Sequence, residues 1–284
     1  MLVSGKVNLF LRVGGVRSGD GRHRIATLFL PLNRLEDRVE VVPARRGAGI
    51  RLRLSGRAVP CPPEENLACK AATAFCRRFG GDGDWEIALE KRIPVSAGLG
   101  GGSADAAAVL RQMAAKTGQG VRQTDLSSLA LELGADVPFF LKARPAFATG
   151  VGDVLAPVEV TASFGIVVAY PGTPSPVAWA YRHVRPRRGP LPKCPAPSRL
   201  ATLEGLAALV ENDLAAPLLE KTPLLGMLLS AMRTAGCVAA AVSGSGSACF
   251  GLCAAGEGEA VCGCLRAALR DVRPLEVFWA AEYG

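Results

Sequence analysis

The stretch Pro94-Val95-Ser96-Ala97-Gly98-Leu99-Gly100-Gly101-Gly102-Ser103-Ala104-Asp105 constrains this chain more than any other. It follows a short alternating segment, Trp85 to Leu89, and precedes an alanine-rich run suited to a helix from Ala104 to Ala115, ended by Thr117-Gly118. A strand, a glycine loop and a helix in that order gather several backbone N–H groups and a helix N-terminus around one anion. Gly98, Gly100, Gly101 and Gly102 remove every Cβ that would hold a phosphate away from that backbone. Ser103 is expected to cap the helix. The loop is therefore read as a cradle for nucleotide phosphates, against the plainer alternative of a flexible loop that tolerates glycine. Two better-known glycine motifs are excluded. No lysine follows the glycines as a Walker loop requires, and the sixth residue counted from Gly98 is Ser103, where a dinucleotide fingerprint needs glycine.

Length and composition bound the rest. The 284 residues suffice for one large domain or two ordinary ones, and 49% hydrophobic with 20% charged residues describes a globular chain. The net charge of +8 suits anionic small molecules as well as nucleic acid. With 10 Phe, 3 Trp and 3 Tyr, and no basic stretch interleaved with them, single-strand stacking platforms are disfavoured. No stretch is long and apolar enough for a membrane span, and Met1 to Lys6 lacks the apolar core of a signal peptide. Nine irregularly spaced cysteines without a CxxC pair read as reduced thiols of a cytoplasmic protein, and with only two histidines a zinc site is not expected.

Val3 to Arg12 alternates as a strand that carries Lys6, Asn8 and Phe10 on one face, either for function or as a solvated edge. A turn over Gly14 to Gly21 leads to Arg22-His23-Arg24, where His23 is open to a plain surface reading. Strands are expected over Ile25 to Leu32, Asp37 to Val42 and Gly49 to Leu54. A helix is expected from Glu64-Glu65-Asn66 to about Arg78, and Gly80 to Asp84 returns the chain to the strand before the loop. A further helix spans Thr124 to Leu133, capped by Thr124 or Asp125 and closed by Gly134. Asp136 then stands alone among apolar residues, with Pro138 opposing helical continuation. A carboxylate there satisfies a local turn, meets a cation, or does chemistry.

Pro145 to Ala148 and Gly165 to Tyr170 read as strands, with a tight turn over Gly150 to Asp153 and a domain boundary near Pro157. Pro171 to Pro197, with eight prolines, is expected to be irregular. Helices follow over Leu203 to Val210, Asp213 to Leu219 and Leu224 to Thr234. A second small-residue loop, Ser243-Gly244-Ser245-Gly246-Ser247, separates strands Val238 to Val242 and Ala248 to Leu252. It is not a GxSxG elbow and reads most simply as a tight linker. A helix over Glu257 to Leu269 and a strand over Val277 to Ala281 close the chain.

Taken together, Ser4-Gly5-Lys6-Val7-Asn8-Leu9-Phe10-Leu11, the PVSAGLGGGSADAA loop and Ser243 to Ser247 resemble, in order and spacing, the GHMP kinase superfamily. Within it the chain most resembles the branch acting on a cytidine-diphosphate-linked methylerythritol in the non-mevalonate route to isoprenoid precursors. The third consecutive glycine of the loop, Leu133 to Phe140, Asn212-Asp213-Leu214, Glu65-Asn66-Leu67 and Phe147 to Gly152 carry that finer match.

The resemblance implies an α+β fold. Residues 1–156 would form a ribosomal-protein-S5-like N-terminal domain and 157–284 a ferredoxin-like C-terminal domain, with substrate in the cleft between them. It implies transfer of the γ-phosphoryl group of ATP to a tertiary hydroxyl, with Asp136 as catalytic base and Lys6 as its partner. Pro94, Val95, Ser96, Ala97, Gly98, Leu99, Gly100, Gly101, Gly102, Ser103 and Ala104 would wrap the triphosphate. Ser103 would also meet Mg²⁺, and Asn66, Leu67 and Lys91 would surround the adenine. Asn8, His23 and Tyr181 fall on substrate-side positions, with His23 reading the cytosine edge and Tyr181 stacking on the base. Where the family has Gly-Tyr-His this chain has Gly21-Arg22-His23, so Arg22 either replaces the stacking tyrosine or marks a different substrate. The partners implied are small molecules, not nucleic acid or membrane, in a monomer or homodimer. A kinase for another small alcohol such as homoserine or mevalonate, and a non-catalytic nucleotide sensor or RNA-binding protein, stand as the alternatives.

Overall fold

A computed structural model describes residues 1–80, 83–118, 120–175, 177–186 and 189–284. The chain divides into two compact units, neither contiguous in sequence. The first holds Met1–Gly5, Glu36–Val95 and Gly100–Ala143, and the second Lys6–Leu35, Ser96–Leu99 and Arg144–Gly284.

Strands β1 (Leu2–Val16) and β2 (His23–Pro43) each run from one unit into the other. The turn expected from Gly14 therefore begins later, after Val16, and the two strands expected on either side of Asn33 are one. No backbone break is needed there, because the Asn33 side chain exchanges hydrogen bonds with the Glu282 backbone (Nδ2 to O, 2.7 Å; N to Oδ1, 3.0 Å). The first unit continues with β3 (Ile50–Gly56), α1 (Leu67–Phe79), β4 (Trp85–Lys91), α2 (Gly101–Thr117), α3 (Gln123–Leu133) and α4 (Val137–Phe140). There β4 pairs antiparallel with the second half of β2, Val39 facing Leu89, and parallel with β3, Leu52 facing Ile87.

Several helix ends differ from the sequence expectation. Pro63–Glu65 forms a single 3₁₀ turn, and α1 starts only after Asn66, whose side chain caps it. At α3 the cap position is Arg122, whose guanidinium holds Asp125 at 2.8 Å. Pro138 opens α4 instead of preventing a helix, because a proline in the first turn loses no hydrogen bond. The turn expected over 80–84 lies partly outside the described residues.

The second unit adds β5 (Ala146–Thr149), β6 (Val154–Pro157), β7 (Phe164–Tyr170), α5 (Val177–His183), α6 (Pro197–Leu200), α7 (Leu203–Ala207), β8 (Glu211–Asn212), α8 (Ala215–Lys221), α9 (Leu224–Thr234), β9 (Ala239–Val242), β10 (Cys249–Cys253), α10 (Gly258–Ala268) and β11 (Glu276–Tyr283). The first half of β2 pairs with β5, and β1 pairs parallel with β8 at Phe10 and Glu211. A separate antiparallel sheet runs in the order β11-β7-β10-β9. Its central strand β7 is buried at every residue, as a continuous apolar run requires. Val167, Val242 and Val277 of this sheet join Leu225, Leu228 and Met232 of α9 and Val261 and Leu265 of α10 in one core. Part of 171–197 is helical at α5 (Val177–His183). The rest of that segment includes positions outside the described residues. All nine cysteines are thiols. Among the described residues no helix is long and apolar enough to cross a membrane.

Candidate active site

Lys6 and Asn8, two apart on β1, point to the same side and are both 4% exposed. An edge with a solvated face would leave them in water; here each polar atom is placed instead. Lys6 Nζ donates to Asn8 Oδ1 at 2.7 Å and to the Gly98 carbonyl at 3.2 Å, and lies 5.3 Å from the centre of the Phe29 ring. Asn8 Nδ2 donates to Thr27 Oγ1 at 2.9 Å, and Thr27 donates onward to the Phe10 carbonyl at 2.6 Å. This relay orients the Asn8 amide with its oxygen toward Lys6, so a buried ammonium is held at a defined place on the strand.

The glycine loop meets that ammonium. Lys6 N donates to Leu99 O at 2.8 Å, and Ser243 Oγ donates to Gly98 O at 3.1 Å. The backbone N–H of Ala248 donates to Ala97 O at 3.0 Å, and that of Ser175 to Ser96 O at 3.1 Å. The second small-residue loop is thus more than a linker: its ends grip residues 96–99. Gly98 has φ +79°, and a Cβ there would lie 2.3 Å from the Ser243 carbonyl oxygen. At Gly244 (φ +55°) a Cβ would lie 2.8 Å from Asn8 Oδ1. Asn212 anchors the same turn, Nδ2 donating to Val242 O (2.8 Å) and Gly244 O (2.7 Å) while Oδ1 accepts from Leu214 N (2.9 Å).

Helix α2 begins at Gly101, earlier than expected, with Gly100 in the left-handed conformation at the cap position. Ser103 is inside the first turn and caps nothing, because glycine at position 100 lets the chain enter the helix three residues sooner. The Ser103 hydroxyl is thereby released from a capping role. Asn66 Oδ1 accepts from Ala68 N at 2.9 Å, and Leu67 opens α1. Lys91, 4% exposed, donates to Asp37 and, at 2.7 Å, to Asp105 Oδ2, so its charge is committed to two carboxylates. Burial pushes the Asp105 carboxyl up to about 7, against the pull of Lys91 and with the Asp37 charge adding to the rise. Two buried carboxylates share one ammonium, and Asp105 Oδ1 has no hydrogen-bond partner among the described residues. Asp136, half-buried in the first unit, precedes α4 without capping it. A helix cap is therefore not what this carboxylate supplies.

In the second unit His23 stacks on Tyr181 of α5 (centroids 5.9 Å apart, planes 25°). Its Nδ1 is 2.9 Å from the Gly14 carbonyl. A carbonyl only accepts, so the neutral ring carries its proton on Nδ1 and leaves Nε2 as an acceptor. Arg22 is exposed beside this pair. The structure therefore brings Lys6 and Asn8 to loop residues 98–99, and His23 to Tyr181. Sequence reasoning missed Thr27, Asp37, Asp105 and Ser243 as supporting residues. For Thr27 the signal available was a polar residue within an apolar strand; Asp37, Asp105 and Ser243 gave none beyond their residue types.

Comparison with known proteins follows the same lines. Residues 66–144 match the GHMP kinases N terminal domain, and residues 199–271 the GHMP kinases C terminal domain. The 4-diphosphocytidyl-2-C-methyl-D-erythritol kinase of Anaeromyxobacter dehalogenans (strain 2CP-C) is 47% identical over 259 residues, covering 88% of this chain and 79% of the relative. The kinase of the same name from Geobacter sp. (strain M21) is 36% identical over 284 residues, covering 96% and 98%. A crystal structure of 4-(cytidine 5'-diphospho)-2C-methyl-D-erythritol kinase superposes with TM-score 0.79 at 38% identity, covering 98% of this chain and 97% of that one. Homoserine kinase from Cytophaga hutchinsonii superposes with TM-score 0.74 at 16% identity over 99% and 94% of the two chains, a likeness of fold alone.

Proposed function

The chain belongs to the 4-diphosphocytidyl-2-C-methyl-D-erythritol kinase family of the GHMP kinases, and from that membership we propose that it moves the γ-phosphoryl group of ATP to the 2-hydroxyl of 4-diphosphocytidyl-2-C-methyl-D-erythritol. The observation that carries the reading is the buried ammonium of Lys6, tied by Asn8 to the strand and by the Gly98 carbonyl to the glycine loop. A charge held there stabilises negative charge developing on a transferring group. Asp136 accepts the proton of the attacking hydroxyl as the new O–P bond forms, and the bond from the γ-phosphorus to the bridging oxygen breaks to release ADP. Lys6 steadies the alkoxide character of the nucleophile.

Residues 94–104 present backbone N–H groups and the N-terminus of α2 to the triphosphate. Asn66, Leu67 and the stem of Lys91 border the adenine. Mg²⁺ would arrive on the ATP phosphates and need few protein ligands. Ser103 would be its hydroxyl ligand, and the ion would neutralise phosphate charge. On the alcohol side Asn8 faces the substrate, and His23, Tyr181 and Arg22 receive its cytidyl group. The Nε2 acceptor of His23 suits the exocyclic amine of cytosine and opposes the carbonyl of uracil. Residues 1–156 and 157–284 act as the two functional domains, and the enzyme works in the cytoplasm. The fold likeness to homoserine kinase brings no substrate with it.

The test is ATP turnover with this alcohol, in the wild type and in Asp136→Asn. Transfer that falls by roughly 10²–10⁴-fold in the variant, with ATP binding retained, is expected. No transfer to any alcohol would end the kinase reading. Transfer only to other alcohols would end the cytidyl assignment.

A further inference from the structure

The glycine loop leaves the first unit after Val95 and returns to it at Gly100. Both ends of that excursion are tied to one buried carboxylate. Asp37 is wholly buried in the second half of β2. Its Oδ1 accepts from the backbone N–H groups of Arg92 (2.6 Å) and Ile93 (2.9 Å), which lie just past the end of β4. Its Oδ2 accepts from Lys91 Nζ, which also donates to Asp105 Oδ2 at 2.7 Å on the second turn of α2. A Cβ on Gly101, the first residue of that helix, would lie 3.0 Å from Ile93 Cγ2 and 3.1 Å from Lys91 Nζ. The strand-side and helix-side ends of the loop are thus packed on the same three side chains. Apolar residues of equal volume would join these segments about as firmly. They would not set the register of two N–H groups and an ammonium.

We infer that Asp37 is a positioning residue for nucleotide binding: through Arg92, Ile93, Lys91 and Asp105 it fixes the span between the two ends of the glycine loop, so that the loop is formed before the nucleotide arrives. The inference rests on the reading of residues 94–104 as the triphosphate loop. Asp37 itself does not touch the nucleotide. Its effect is on the ordering that binding would otherwise have to impose.

The experiment compares wild type, Asp37→Ala and Asp37→Asn in three readouts: KM for ATP, KM for the alcohol, and amide hydrogen exchange at Arg92 and Ile93. In Asp37→Ala, KM for ATP rises by about tenfold or more, KM for the alcohol stays within about twofold, and both amides lose protection. Asp37→Asn keeps a carbonyl oxygen for the two N–H groups and falls between; it also carries all three readouts should the alanine variant fail to fold. A lower kcat with both KM values unchanged, or unchanged protection at Arg92 and Ile93, overturns the inference. If the wild type itself bound no ATP, the kinase reading would fall, while amide exchange would still decide whether Asp37 fixes the loop ends.

Discussion

Gly98→Ala probes the part of the loop on which most contacts converge. Gly98 adopts φ +79°, and an added Cβ would sit 2.3 Å from the Ser243 carbonyl oxygen and 2.9 Å from that of Gly246. Both obstacles are backbone atoms, so no rotamer change relieves them. Holding an L-residue in the left-handed region costs roughly 1–2 kcal/mol. Shifting a packed backbone to admit the methyl group adds about 1–3 kcal/mol. The combined penalty is roughly 2–5 kcal/mol. It falls on the residue whose carbonyl accepts from Lys6 Nζ at 3.2 Å and Ser243 Oγ at 3.1 Å. Any movement that frees the methyl group therefore also moves Lys6.

Two measurements follow. Chemical denaturation should show lower stability for Gly98→Ala, and kcat/KM for ATP should fall by roughly 30- to 4,000-fold, at 1.4 kcal/mol per tenfold. Gly102→Ala is the counterpart. Among the described residues nothing outside its own helix turn and chain neighbours lies within 4 Å of its Cβ position, and its backbone is already helical. Alanine there favours the helix by about 1 kcal/mol. Stability should hold or rise while ATP affinity drops, because the methyl group stands where the phosphates approach. A Gly98→Ala enzyme with wild-type stability and activity within about threefold would refute the steric reasoning. Undiminished ATP binding by Gly102→Ala would show that the phosphates lie elsewhere.

Thr27→Val leaves Asn8 Nδ2 and the Phe10 carbonyl without their buried partner; a loss of about 1–3 kcal/mol in stability is expected, with kcat lowered more than KM for ATP, by steady-state kinetics and denaturation. The Asp105 carboxyl, raised by burial to about 7, binds its proton more tightly in the folded chain than in the unfolded one. Its contribution is therefore greatest at low pH and is lost as pH rises from about 4 to 7. Asp105→Asn cannot titrate, so its melting temperature should gain on the wild type between pH 5 and pH 8; parallel melting curves across that range would refute the shift. Tyr181→Ala removes the ring stacked on His23 and should raise KM for the alcohol by about tenfold with little change in KM for ATP, as stacking on one base is worth about 1–3 kcal/mol. Arg22→Tyr should hold or lower KM for the cytidyl alcohol; a substantial rise would show that the guanidinium makes a contact a ring cannot replace.

The glycine loop was legible because its physics is local: a strand, residues without Cβ and a helix are adjacent in sequence and need no partner to be recognised. Asn8 and Lys6 were legible as anomalies, polar residues two apart on a strand otherwise fit for a core. The long apolar runs at Gly165 to Tyr170 and Leu224 to Thr234 likewise declared a buried strand and a helix by periodicity alone. Tertiary structure decided what these features are for. Asn33 looked like a turn residue, and only its exchange of hydrogen bonds with Glu282, 249 positions away, shows why β2 runs on unbroken. Ser103 looked like a cap until Gly100 took that position in a conformation open to glycine. Lys91, Asp37 and Asp105 are ordinary charges in the sequence, spread over 68 positions. They become one buried cluster only when β2, β4 and α2 pack, because excluding water from charges makes their pairing obligatory.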